Sequence, residues 1–355
     1  MMNEDTVAIG NQPTISSYGS RPISNGVEAR PIEEPVLTEV ARPTTITPRF
    51  LGAAVLALIF LAGAGITLAY LSSAPSPQEV SQTAATAVVI DPFNDIVLDA
   101  QSAYVFDLVT HHVLYALNPD AQLPLASLTK VPLVLAVAEV LMPDTVVAVP
   151  SHTPPDGGIQ RIPDGSRWHA SDLIDFTLIS SSNEGAEILA TAAEKALRAK
   201  YSETPAGSAA LSRMNEIAGE LGLSHTYFLN PSGLDISATQ GGAYGSARDV
   251  ATLFAHAASM PYIFEGTTKS ELVLHSLEGD RATARNTDKV LAAIPGLIMG
   301  KTGYTDLAGG NLAIVFDIGP AHPVVAVVLH STETGRFDDM KKLITATQAA
   351  IALTQ

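Results

Sequence analysis

Residues 123–142 read LPLASLTKVPLVLAVAEVLM. Nearly all of this stretch is apolar and reads as one buried helix, yet two hydroxyls and an amine stand at its head: Ser127, Thr129 and Lys130. Proline lacks the N–H that a helix interior needs and is tolerated only near the first turn, so Pro132 sets the helix start close to Ser127. Positions i and i+3 share a helix face, which lets Ser127 Oγ meet Lys130 Nζ. A serine there receives the positive end of the helix dipole and free backbone N–H groups, which favour developing negative charge. A lysine serving as its base must be largely neutral. Burial, or a second cation close by, would lower its pKa from about 10.4. Alone, the S-x-x-K spacing fits equally a capping serine followed by a snorkelling lysine.

Working outward, SAYVFDL (102–108) and HVLYAL (112–117) are β-rich and read as a hairpin. The 127–142 run reads as a helix. ASDLIDFTLISSSNEGAEILATAAEKALRAK reads as two helices broken near Ser180–Ser182, and SAALSRMNEIAGELGL as an amphipathic helix. Ser246 and Asp249 fit a capping-box variant that opens a further helix. NLAIVFDI and PVVAVVLHS read as strands, and RFDDMKKLITATQAAIAL as a closing helix. Strands at both ends with helices between them predict an α/β-type domain whose sheet joins the two ends of the chain.

Two further clusters change the weight of the serine and lysine. Ser181-Ser182-Asn183 places S-x-N at a helix-to-helix break, where side chains can project into a cleft; by itself it reads as a turn or cap. Lys301-Thr302-Gly303 follows an apolar run and precedes Tyr304. By itself it reads as a strand end. Here it supplies a cation, a hydroxyl and a position without a side chain, where substrate can lie against a strand.

The rest of the chain narrows the classes of function. It has 355 residues and a formal net charge of −16. No clustered basic face is visible, which argues against nucleic acid as a partner. There are no cysteines, so disulfides, thiolate metal sites and a cysteine nucleophile are excluded. The nine histidines show no metal-ligand spacing, and His111–His112 reads as a turn or a solvated strand end. No metal and no cofactor is expected. Residues 50–71, FLGAAVLALIFLAGAGITLAYL, form 22 consecutive residues without a charge. About 20 suffice to cross a bilayer core. Arg42 and Arg49 precede this run and no Lys or Arg follows until Lys130, which predicts a cytoplasmic N-terminus and an extracytoplasmic remainder. Pro75 directly after Ser72-Ser73-Ala74 argues against cleavage as a signal peptide. The expected organisation is a disordered cytoplasmic tail over 1–48, a transmembrane signal-anchor over 49–72, a linker over 73–95 and a catalytic domain over 96–355. The part beyond the span carries 16 basic against 30 acidic residues, so most of the negative charge lies outside.

S-x-x-K, S-x-N and K-T-G occur here in the order found in class A β-lactamases and penicillin-binding proteins. With FLNPSGLD, YGSARDVATL and MGKTGYTDLAGGNLA, the sequence resembles the D-alanyl-D-alanine carboxypeptidase branch of penicillin-binding proteins from roughly Ala100 onward. The resemblance implies a β-lactamase/transpeptidase-like fold of class α/β (α+β): an antiparallel sheet packed with helices, plus a helical subdomain. It implies acyl transfer at Ser127 with Lys130 as base, Ser181 as proton relay, Asn183 holding the peptide amide, and Lys301 keeping Lys130 neutral. Thr302 and Arg336 would bind the substrate's terminal carboxylate, Gly303 would leave room for substrate, and the N–H groups of Ser127 and Tyr304 would form an oxyanion hole. The implied partners are peptidoglycan stem peptides and covalent β-lactams. The residues leave open a D,D-endopeptidase that cuts cross-links, a serine β-lactamase and a silent peptidoglycan-binding scaffold. The lactamase reading is weakened by the missing E-x-x-x-N context and by Ser-Ser-Asn in place of Ser-Asp-Asn. For Arg336, a helix-start pairing with Asp339 is the alternative reading.

Overall fold

The apolar run of PVVAVVLHS is continuous because both of its faces are covered. Val324, Ala326 and Val328 pack into one core with Ala103, Val105, Ile314 and the C-terminal helix residues Phe337, Met340 and Leu343. Val325, Val327 and Leu329 point the opposite way, into a larger core built with the other helices. Side chains alternate across a strand, so every second residue feeds each core. The computed structural model describes residues 91–151, 161–201 and 207–353. The tail, the span over 50–71 and most of the linker expected from the sequence lie outside the described residues.

Among the described residues the strands, in chain order, are β1 (Ser102–Asp107), β2 (Val113–Leu117), β3 (Leu123–Pro124), β4 (Val146–Ala148), β5 (Arg167–His169), β6 (Tyr227–Phe228), β7 (Ala243–Gly245), β8 (Glu271–His275), β9 (Arg281–Arg285), β10 (Leu297–Thr305), β11 (Gly309–Asp317) and β12 (Pro323–Ser331). The helices are α1 (Lys130–Ala138), α2 (Ala170–Ile179), α3 (Asn183–Lys200), α4 (Ala209–Glu220), α5 (Ala247–Ala258), α6 (Pro261–Phe264) and α7 (Gly335–Ala352). Five strands form the main sheet in the order β10-β11-β12-β1-β2, every neighbour antiparallel. The two ends of the described chain therefore meet in one sheet. Packing reaches back past the expected domain start at Ile96, since Phe93 is buried and stacks on Tyr115 at 5.4 Å.

Several elements differ from the sequence reading. The helix expected over 127–142 is shorter. Ser127 lies on a 3₁₀ turn, Ala126–Thr129, and α1 runs only from Lys130 to Ala138. Pro143 disfavours helical geometry at Met142, and the last turn closes with Leu141 N donating to the Val137 carbonyl. The capping box at α5 is half formed. Ser246 Oγ accepts from Asp249 N, but the Asp249 carboxylate accepts from His225 N at 2.8 Å and Thr226 Oγ1 at 2.9 Å instead. Lys301 and Thr302 sit inside a nine-residue strand and not at its end. The β8–β9 hairpin has no counterpart in the sequence reading, because its charged ends hide the alternation.

Candidate active site

Three elements converge on Ser127. The first is its own turn. Ala126 adopts φ +48°, a left-handed conformation costly for a residue with a Cβ, and its carbonyl accepts from Thr129 Oγ1 at 2.7 Å. Gly233, at φ +80°, makes that turn possible: a Cβ there would lie 1.9 Å from the Ala126 carbonyl oxygen. The second is strand β10, one of the two edge strands of the main sheet. A Cβ on Gly303 would lie 2.8 Å from the Leu125 carbonyl and 3.3 Å from Ser127 N, so strand and turn run in backbone contact. Asn311, opposite Gly303 in β11, ties the sheet to the approach by donating from Nδ2 to the Pro124 carbonyl at 3.0 Å.

The third element is the junction between α2 and α3. Ser182 caps α3, its Oγ accepting from Gly185 N at 3.0 Å. Ser181 therefore occupies the bend itself at φ +56°, a strained position for a non-glycine residue. Asn183 opens α3 and points its side chain at Lys130.

Lys130 is fully buried. Its Nζ donates to Ser127 Oγ at 2.8 Å, Asn183 Oδ1 at 2.7 Å and the Ser232 carbonyl at 2.7 Å. An ammonium carries three donors, which these acceptors can take. A neutral amine in the same place has a lone pair, and the 2.8 Å contact is then open to donation from the Ser127 hydroxyl. Lys301 is also buried, with Nζ donating to Ser181 Oγ and to the Thr302 carbonyl, both at 2.8 Å. Burial holds its pKa well below the ordinary lysine range. The positive charges of Lys130 and Arg336 push in the same direction, against Asp288.

The remaining sequence candidates lie around β10. Thr302 is buried, and its hydroxyl meets Thr287 Oγ1 at 2.5 Å. Tyr304 is the exposed member, at 46%. Arg336 does not pair with Asp339. Its Nη1 donates to the Gly303 carbonyl at 2.7 Å, beside the site, and its plane lies over Tyr304 and Phe337. Asp339 instead accepts from the backbone of Asp99 and Ala100 and from Ser331 Oγ. The structure thus brings Ser127, Lys130, Ser181, Asn183, Lys301, Thr302, Gly303, Tyr304 and Arg336 into one neighbourhood.

Sequence reasoning missed the groups without a motif letter. The Ser232 carbonyl is one, although NPSG at 230–233 was a visible turn signal. Asp288 is another. It is buried with one oxygen accepting from Val290 N, and Oδ2 has no partner among the described residues. Burial raises its pKa, against Arg336 and Lys301. Among the described residues no cluster of three histidines or carboxylates is placed to hold a metal.

Comparison with known proteins places this geometry in a family. The Peptidase S11 family, D-alanyl-D-alanine carboxypeptidase, matches residues 88–333. The chain is 28% identical over 270 residues to a D-alanyl-D-alanine endopeptidase of Escherichia coli, covering 74% of this chain and 80% of that protein. It is 30% identical over 210 residues to the D-alanyl-D-alanine carboxypeptidase DacB2 of Mycobacterium tuberculosis, covering 59% and 67%. Among solved structures it resembles penicillin-binding protein D2 of Listeria monocytogenes in its ampicillin-bound form. The TM-score is 0.58 at 27% identity, over 71% of this chain and 98% of the other. The chain belongs to the D-alanyl-D-alanine carboxypeptidase family of serine peptidases.

Proposed function

We propose that this protein hydrolyses the terminal D-Ala-D-Ala bond of peptidoglycan stem peptides through an ester on Ser127. The observation that carries the reading is the paired arrangement of Lys130 on Ser127 and Lys301 on Ser181, each at 2.8 Å. The neutral amine of Lys130 takes the hydroxyl proton as Ser127 Oγ attacks the carbonyl between the two D-alanines. The oxyanion that forms is met by the N–H groups of Ser127 and Tyr304, and such a donor commonly contributes about 3 kcal/mol to lowering the barrier. Gly303 lets β10 run in backbone contact with the nucleophile turn, so an extended peptide lying along the edge of β10 reaches Ser127. Lys301 holds its proton weakly, which suits relay through Ser181 to the departing amine. Asn183 holds the peptide amide on the acyl side. Thr302 and Arg336 bind the terminal carboxylate, and water then hydrolyses the ester. β-Lactams acylate the same serine and stay bound.

Residues 50–71 anchor the protein in the membrane, with the N-terminus cytoplasmic and the catalytic part outside. Supporting this are the uncharged run and the arginines before it. Protease added outside intact cells should digest the catalytic part and spare the tail before Arg49. A mature N-terminus after Ala74 would contradict the anchor.

Cross-link cleavage is the second reading, favoured by the likeness to the E. coli endopeptidase. Incubation of the full chain with a stem pentapeptide and with a cross-linked dimer, followed by mass spectrometry, separates the two. Loss of one alanine from the pentapeptide, with the dimer intact, is expected. Monomer release from the dimer without loss of alanine from the pentapeptide would replace the carboxypeptidase reading.

A further inference from the structure

Each of the two buried amines has a carboxylate that acts on it through space. For Lys301 it is Asp288, and for Lys130 it is Glu187. Glu187 stands four residues after Asn183 on α3, hence one turn further along the same face. Asn183 at the head of that face holds Lys130 Nζ at 2.7 Å. The Glu187 side chain is half-buried in a cavity of about 280 Å³ that it shares with Asn230 and Pro231. The next residue in that segment, Ser232, supplies the carbonyl that Lys130 also contacts. Glu187 therefore stands beside the two segments that hold the catalytic amine, one turn from Asn183 on α3 and across the cavity from Asn230 and Pro231, with no hydrogen bond of its own among the described residues.

We infer that Glu187 is a positioning residue for the acylation step, setting the proton affinity of the Lys130 amine in opposition to Lys301. Its negative charge favours the ammonium that forms when Ser127 loses its proton, whereas Lys301 disfavours it. The charge is poised. Burial raises the pKa of the Glu187 carboxyl, and Lys130 draws it back down.

The other charges on elements packed against α3 are committed elsewhere. Glu184 accepts from Arg161 N and Ile162 N, and Glu194 from Gly207 N and Ala209 N. Arg213 of α4 binds Glu139, Glu216 and Glu220. On α2, Asp172 acts on Asp175, and His169 and His275 act on Asp172.

The test is the rate of acylation of the full chain by a fluorescent penicillin as a function of pH. In Glu187→Gln the apparent pKa for acylation should fall by about one unit. Glu187→Asp keeps the charge and should restore most of the wild-type profile. Glu194→Gln, in the same cavity, should leave the midpoint unmoved. A wild-type midpoint in Glu187→Gln, or equal shifts in the Gln and Asp variants, would overturn the inference. It rests on Lys130 being the base. Failure of that reading shows separately, as wild-type acylation without a pH-dependent rise.

Discussion

Replacing Gly233 with alanine tests how the nucleophile turn is held. The new Cβ would come 1.9 Å from the Ala126 carbonyl oxygen, 2.5 Å from its carbon and 2.6 Å from Thr129 Oγ1. Two of those atoms are backbone, so no flexible side-chain tip can yield. The residue would also carry φ +80°, which costs an L residue about 1–2 kcal/mol. Forcing a methyl into packed backbone adds about 1–3 kcal/mol. Together the loss is about 2–5 kcal/mol, to be read as a lower denaturant midpoint at unchanged slope. The second consequence is catalytic. Relief of the contact moves Ala126 and with it Ser127, and a displacement near 1 Å costs about 100-fold in rate. The assay pairs urea unfolding with the second-order rate of penicillin acylation. An alanine variant that unfolds at the wild-type midpoint and acylates at the wild-type rate would refute the claim that Gly233 shapes the turn.

Other perturbations have equally definite signs. Lys301→Ala removes a cation acting on the Lys130 site, so the apparent pKa for acylation should rise by about one unit while acylation slows. An unmoved midpoint in the pH–rate profile would remove Lys301 from that role. Burial opposes ionisation of Asp107, but His322 at 2.9 Å and the backbone of Thr110 and Val109 outweigh it and hold its pKa at about 2. Its contribution is complete above the ordinary carboxylate range and lost as the pH falls through 2. Asp107→Asn should therefore cost about 2 kcal/mol at pH 7 and little at the lowest pH that leaves the fold intact, by urea unfolding. Asp175 has the opposite sign. Burial, then the charges of Asp172 and Glu265, push it up to about 6, so the wild type loses stability as pH rises from 4 through 6. Asp175→Asn should gain about 3 kcal/mol at pH 8 and little at pH 4, and an equal effect at both would contradict the assignment.

Much of the site was legible because its residues lie in short local patterns. Only two residues separate Ser127 from Lys130, and the break between two helical segments marked Ser181. Local pattern also has its limit here. The expected contact between Ser127 and Lys130 forms, but on a 3₁₀ turn feeding a helix and not on one continuous α-helix. Pro132 marked where a helix can start, while the kink at Ala126 depends on Gly233, more than a hundred residues later. No local period encodes such an approach. The Ser232 carbonyl and Asp288 escaped for a related reason. A backbone oxygen has no letter, and an acidic residue in a polar stretch looks solvated until tertiary packing buries it. Arg336 shows the converse: the resemblance put it at the substrate carboxylate, its spacing to Asp339 offered a helix-start pair as the alternative, and the side chain turns to the Gly303 carbonyl and not to Asp339.

The account stands most directly on where the covalent bond forms. Wild-type protein and Ser127→Ala would each be treated with excess penicillin, and the intact mass and the modified peptide determined. The wild type should gain one penicillin mass, located on Ser127, while the folded alanine variant gains none. An adduct on another residue, or undiminished labelling of Ser127→Ala, would contradict the assignment of Ser127 as the nucleophile.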